Sequence, residues 1–297
     1  MTPVRLEPKF VERTWGAADL SPWFPTPPPP AGDPYGEVWL TSDDCGTSEG
    51  LSLRALMERE GARLLGRQVK PAFGGRFPIL VKFLFTSAKL SLQVHPDDAY
   101  AEIHEKSPGK TEMWYVLRAN EGATIAAGFT RQFETAEVRA SLKDRSLESL
   151  VKWWPAQAGE TYFTPAKTVH AVGAGLVICE IQQNSDVTYR LWDYGRPRPL
   201  HIEESMAVAE LGPHPGPATA NGNTLVECPY FVTERHSIES RFEAASDPDR
   251  FHLLIVTDGE GKIGDRAMRA GDCWLVPAAL GKYAVSGALT LLRVFVP

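Results

Sequence analysis

Four residues able to bind a metal stand among short apolar runs: Gln93 and His95 in LSLQVHPDDAY, Glu112 in GKTEMWYVL, and His170 in TYFTPAKTVHAVGAG. Gln93 and His95 are two positions apart in an alternating run. Successive side chains leave opposite faces of a strand, so this pair shares one face while Leu92 and Val94 take the other. Glu112 opens a second apolar run, and His170 follows a turn signal that leads into a third. Converging from three strands, two imidazoles, a carboxylate and an amide oxygen leave a divalent ion a Lewis acid, with one or two positions open for water or a substrate oxygen. The absence of thiolate speaks against a closed structural site. Zn2+, one per chain, suits the donors best, and Mn, Co or Fe(II) also accept mixed nitrogen and oxygen ligation. Each residue alone has a plainer reading as a packed or surface side chain. His104, His201, His214, His236 and His252 keep that plainer reading, because none stands in a comparable constellation.

Three further residues could act beside such an ion. Lys110 lies two residues before Glu112 and shares its face on an extended segment. A lysine near a dication gives up its proton more readily, which suits a proton shuttle; the alternative is an exposed surface lysine. Asp186 and Arg190, in QQNSDVTYRLWDYGR, follow the run GLVICEIQQ. An arginine near an open metal position stabilises a developing oxyanion or holds a phosphate. A solvent salt bridge between Asp186 and Arg190 is the plainer alternative.

Strands must position these groups. Apolar runs punctuated by Gly, Pro and Asp predict an antiparallel sandwich or barrel, with strands over 36–42, 77–85, 89–95, 112–118, 161–166, 175–183, 251–258, 272–277 and 288–296. Helical spacing is confined to 51–59, 97–105 and 134–153, the last read as two short helices beside the barrel with Ser146 capping the second. The proline-rich stretch 22–34 is neither helix nor central strand and is expected to be an extended surface loop. The breaker-rich stretch 211–223 reads as a linker between a metal-binding unit over 1–212 and a smaller unit over 220–297. An internal repeat supports that division. AGETYFTPA (158–166) and AGDCWLVPA (270–278) share Ala-Gly-acid-x4-Pro-Ala, and five residues past each proline stand His170 and Lys282. A protonated lysine does not coordinate a cation, so the second unit is expected to be degenerate and metal-free.

Composition excludes some partners. The net charge is −6 and no basic stripe appears, which argues against a nucleic-acid surface. No apolar run reaches membrane length, so no membrane partner is expected. The N-terminal MTPVRLEPKF lacks a signal-peptide core, and the four cysteines are spread without a CxxC pair. A cytoplasmic protein with free thiols is expected, as a monomer or weak homodimer.

FPILVKFLFTSAKLSLQVHPDDAYA, GKTEMWYVL, TPAKTVHAVGAG and QQNSDVTYRLWDYGR resemble the signature blocks of type I mannose-6-phosphate isomerases, and RTWGAADL and YGEVWLTS resemble that family's N-terminal elements. The resemblance covers about residues 10 to 205 in order. It implies an all-β fold with a few helices, in which a cupin (jelly-roll) barrel bears the metal and a smaller cupin-like unit follows. It further implies one zinc ion at Gln93, His95, Glu112 and His170, with Arg190 as the catalytic arginine and Lys110 and Asp186 lining the site. Lys110-Thr111-Glu112 replaces the family's frequent Lys-Pro-Glu, and the large helical insertion of longer members is missing before His170, as in the compact bacterial form. The implied reaction interconverts mannose 6-phosphate and fructose 6-phosphate through a cis-enediol(ate), with Lys110, a metal-bound water or a site carboxylate as base. Alternatives are an Fe(II)-dependent cupin oxygenase and a non-catalytic sugar-binding cupin.

Overall fold

The structure, a computed structural model, describes residues 1–297. Strands β1 (Val4–Leu6), β2 (Lys9–Ala17) and β3 (Tyr35–Trp39) precede helices α1 (Leu53–Glu60) and α2 (Ala62–Leu65). Then come β4 (Ile79–Thr86), β5 (Leu92–Val94), α3 (Asp98–His104), β6 (Glu112–Ala119) and β7 (Thr124–Phe129). Next are α4 (Thr135–Lys143), α5 (Leu147–Leu150), β8 (Val151–Pro155), β9 (Thr161–Thr164), β10 (His170–Val172), β11 (Leu176–Gln183), β12 (Tyr189–Trp192) and α6 (Ile202–Val208). The chain ends with β13 (Thr224–Glu227), β14 (Val232–Ile238), β15 (Arg241–Ala245), β16 (His252–Ile263), β17 (Arg266–Arg269), β18 (Cys273–Val276) and β19 (Lys282–Phe295).

Three antiparallel sheets result. One runs β2-β3-β4-β11-β6-β9, a second β12-β5-β10-β7-β8, and the third β1-β18-β16-β19-β14-β13, with β15 on β19 and β17 on β16. The first two face each other as a sandwich that is not closed into a continuous barrel. Trp15, Leu84, Trp114, Val116 and Ile178 of the first meet Ile125 and Val172 of the second. The reverse face of the first sheet, with Val81, Phe83, Phe85, Met113 and Cys179, packs on Val4, Leu253, Ile255, Cys273, Leu275 and Val294 of the third. The outer face of the second sheet, with Leu92, Val94 and Ala171, is covered by Val138 of α4, Leu147 of α5 and Val208 of α6. The central strands of the first sheet, β4, β11 and the start of β6, are therefore buried on both sides, and polar residues at their inward positions lie in a covered space.

Helices occur in the three places where spacing puts them, but α2 (Ala62–Leu65) and α6 (Ile202–Val208) lie outside those ranges, and two details differ. Residues 151–153 are strand rather than helix, because Val151–Pro155 pairs with β7 as its edge strand. Ser146 occupies the N-cap position of α5 without a side-chain cap bond, and its hydroxyl donates to Asp144 Oδ1 instead. Residues 22–34 form no strand or helix; the backbone is tied to β2 through Arg13 N–H donating to Pro34 O. The 211–223 stretch runs from the second sheet to the first, with Phe129 N–H of β7 donating to Gly212 O and Ala218 N–H donating to Thr161 O of β9.

The internal repeat recurs down to its hydrogen bonds. Gly159 and Gly271 both have positive φ, +90° and +91°. The acid after each glycine accepts from the backbone N–H three residues upstream, Gln157 to Glu160 and Arg269 to Asp272. The strand that follows then pairs alike: Glu112 stands opposite Thr164, and His252 opposite Val276. Thus His252 and an exposed Lys282 occupy the places of Glu112 and His170. The interior of the second copy is filled by apolar side chains such as Leu254, Val256, Trp274 and Val276. Gly159→Ala is expected to cost about 1–2 kcal/mol through backbone strain alone, as its Cβ meets nothing within 4 Å. Gly271→Ala should cost clearly more, because its Cβ would also sit 2.5 Å from Trp23 O. Urea unfolding of the two variants checks this order, and equal losses would contradict it.

Candidate metal centre

Strand register brings the four sequence-selected residues together. On the second sheet Gln93 of β5 pairs with His170 of β10 on one side and Arg190 of β12 on the other, and His95 follows β5 directly. Glu112 comes from the facing sheet, at the start of β6. The ligand atoms of His95, Glu112 and His170 lie within 4.8 Å of one another. Glu112 Oε1 is 3.2 Å from His170 Nε2, and Oε2 is 3.6 Å from His95 Nε2. The Gln93 amide nitrogen is 3.3 Å from His170 Nε2. Amide nitrogen and oxygen exchange places by a half-turn, so Gln93 can present its oxygen to the same point.

The imidazoles are set up as donors of lone pairs. Nδ1 of His95 is 2.8 Å from Val187 O, and Nδ1 of His170 is 2.8 Å from Thr168 O. A carbonyl only accepts, so each Nδ1 carries the hydrogen and each Nε2 is bare toward Glu112. Burial and the Lys110 cation push both rings away from protonation: His95 falls far below its usual value and His170 to about 3. Glu112 is fully buried, and neither oxygen makes an aligned hydrogen bond. Burial raises its carboxyl to about 7 although Lys110 Nζ lies 2.8 Å from Oε2. A buried carboxylate without hydrogen-bond donors is strongly unfavourable unless a cation compensates it. Two neutral imidazoles, that carboxylate and an amide form a donor set of the right chemistry for a divalent ion.

Lys110 is not a surface lysine. It is buried, and Nζ is also 3.1 Å from His95 Nε2. Against burial, the carboxylates of Glu112, Glu180 and Glu37 hold its proton above the ordinary lysine range. Asp186 is exposed, and no ion pair joins it to Arg190. Arg190 is half-buried; its Nε has no acceptor, and burial with the neighbouring Arg198 lowers its proton affinity. A cavity of about 500 Å³ is lined by Lys82, Gln93, Lys110, Glu180, Asp186 and Arg190, among others. His95, Glu112 and His170 lie behind Gln93 and Lys110, the two residues shared by the cavity wall and the cluster.

Sequence reasoning missed a second buried charge group on the same wall. Lys82 of β4 reaches Glu180 of β11 at 3.4 Å and Glu37 of β3 at 3.9 Å. Trp114 Nε1 donates to Glu180 at 2.9 Å, and Glu37 accepts from Trp39 Nε1 at 2.6 Å and Arg13 Nε at 2.7 Å. Against burial, Lys82 and Lys110 hold the Glu180 carboxyl below its usual range. The signal was present: LVKFLF and VICEIQQ each carry one charge at an inward position of an otherwise apolar run.

Comparison with known proteins bears on this geometry. Residues 4–140 match the family model "Phosphomannose isomerase type I, catalytic domain", and residues 221–296 match "Mannose-6-phosphate isomerase, cupin domain". The chain is 32% identical to mannose-6-phosphate isomerase ManA of Bacillus subtilis, covering 96% of each sequence. It is also 32% identical to a mannose-6-phosphate isomerase of Streptococcus mutans, covering 98% of this chain and 97% of that one. The crystal structure of the mannose 6-phosphate isomerase from Bacillus subtilis superposes with a TM-score of 0.88 at 30% identity, over 99% of both chains. The sheets are thus cupin-like, with the cupin-domain match falling on the third, and the chain belongs to the type I phosphomannose isomerase family.

Proposed function

We propose that this protein is a metal-dependent aldose–ketose isomerase that interconverts mannose 6-phosphate and fructose 6-phosphate, acting in the cytoplasm on a small sugar phosphate. The observation that carries this reading is a cavity whose inner end reaches a buried His95–Glu112–His170 cluster through Gln93 and Lys110. Family membership and the donor set support a divalent metal, with Zn2+ as the ion and Gln93, His95, Glu112 and His170 as its ligands. Residues 1–212 form the metal-binding unit on this reading, and residues 220–297 its metal-free counterpart. No helix is long and apolar enough to cross a membrane.

Isomerisation moves a proton between C1 and C2 of the open-chain sugar through a cis-enediol(ate). When bound, the ion supplies Lewis acidity to the carbonyl and hydroxyl oxygens and a positive charge that loosens the proton of Lys110. Lys110 is the proposed proton carrier, because it both lines the cavity and touches the ligand cluster. The Lys82–Glu180 pair holds a second exchangeable proton on the same wall. Arg190 keeps a guanidinium without a carboxylate partner beside Gln93, ready to stabilise the enediolate oxygen. Asp186 sits at the exposed rim, placed to accept from a sugar hydroxyl.

A coupled assay should show mannose 6-phosphate conversion that is lost on chelation and restored by zinc; no interconversion by a folded, metal-replete sample would end this reading. His170→Ala should abolish metal loading measured by elemental analysis, whereas Lys282→Ala should leave it intact. Arg190→Ala should lower kcat roughly 100- to 1000-fold with a smaller change in KM, as removal of one oxyanion donor does. A binding module would lose affinity alone. Metal affinity should rise with pH from about 6 to about 8, because the Glu112 carboxyl, raised to about 7, must lose its proton to bind. Competition titrations with a chromophoric chelator measure this, and Glu112→Gln should remove the pH dependence along with most of the affinity.

A further inference from the structure

The cations of the cavity are unevenly compensated. Arg13 pairs with Glu37, Lys82 with Glu180, and Lys110 with Glu112. On the β12 side, Arg190, Arg196 and Arg198 have only Asp193 as a nearby paired carboxylate. Asp193 is 2% exposed, so it holds these arginines from behind. Its oxygens accept a two-pronged bond from Arg198, Nε to Oδ2 and NH2 to Oδ1, both at 2.6 Å. Arg196 is turned into the protein, with NH2 2.7 Å from Asp193 Oδ1 and donating to Lys89 O. Arg198 lines the cavity; two of its five N–H groups are spent on Asp193 and the rest are free. Glu12, Asp33 and Asp186 line the same cavity, but none of them pairs with Arg190 or Arg198, and Glu12 accepts from Ala31 N–H instead. The free N–H groups of Arg198, together with the unpartnered Arg190 Nε, mark a place for an anion.

We propose that Arg198, held in position by Asp193, anchors the phosphate of the substrate at the outer end of the cavity. The order along the wall supports this. Gln93 neighbours the buried cluster, Arg190 is its strand partner, and Arg198 stands near Arg190 in the same cavity, at 29% side-chain exposure. A sugar phosphate lying along this line has its reacting carbons at Gln93 and Lys110 and its phosphate at Arg198. A rigid fork held by a buried carboxylate loses little entropy when it clamps phosphate oxygens. The inference rests on the isomerase reading for the identity of the sugar, but not for the anion site.

Two measurements test it. Calorimetric titration with inorganic phosphate, which needs no turnover, should give a Kd for Arg198→Ala raised roughly 10- to 100-fold over the parent protein, as expected for loss of a charged hydrogen-bond pair. Arg198→Lys keeps the charge without the fork and should fall between the two. In the isomerase assay, Arg198→Ala should raise KM for mannose 6-phosphate by the same order, while competitive inhibition by mannitol, which has no phosphate, stays within about twofold. Unchanged phosphate affinity in Arg198→Ala overturns the proposal, as does equal weakening of phosphate and mannitol. If the parent protein binds phosphate through Arg198 yet does not isomerise mannose 6-phosphate, the isomerase reading fails and the anion site stands.

Discussion

A carboxylate buried between two sheets, with no hydrogen-bond donor aligned on either oxygen, is the constraint around which the molecule is arranged. Glu112 sits where the first sheet faces the second, and both neighbouring imidazoles are neutral because burial and Lys110 keep protons off them. Left alone, such a group is a liability to the fold, and the Lys110 ammonium, 2.8 Å from Oε2, compensates it on one side only. Flanked by the bare Nε2 atoms of His95 and His170, it forms one side of a cluster able to hold a cation. The hydrogens on the two Nδ1 atoms, each directed at a backbone carbonyl, fix that outcome from outside the site.

Burial on both faces makes the first sheet a platform for charge. Its reverse face is sealed by the third sheet, so the inward residues Glu37, Lys82, Glu112 and Glu180 are shielded from bulk water behind them. In that setting each charge is felt by its neighbours. Lys82 and Lys110 keep Glu180 ionised, and the acids in turn keep Lys110 protonated. The chemistry of the cavity therefore belongs to a coupled set rather than to one residue.

Much of this was legible in the residues, and the rest was hidden for identifiable reasons. The alternation in LSLQVHPDD places Gln93 and His95 on one face, and the structure has Leu92 and Val94 under the helices on the other. The repeat located the turns at Gly159 and Gly271 because positive φ demands glycine there. Lys82, Glu37 and Glu180 escaped notice because a single charge in an apolar strand looks like a surface position until the covering sheet is known. Strand β2 leaves no clear signal because its residues are half-buried and lack a clean alternation, and residues 151–153 carry helical spacing because the preceding pattern runs into the strand Val151–Pro155. Pairing between distant segments, which decided both cases, leaves no local mark.

Strand β1 belongs to the third sheet, where Val4–Leu6 pairs antiparallel with Leu275–Cys273. These partners stand far apart in the sequence, so their pairing closes a long loop of chain. Val4 and Leu6 also contribute to the core that joins the third sheet to the first. The sheet that backs Lys82 and Glu180 is thus held together by a contact of very long sequence separation, a kind that forms slowly.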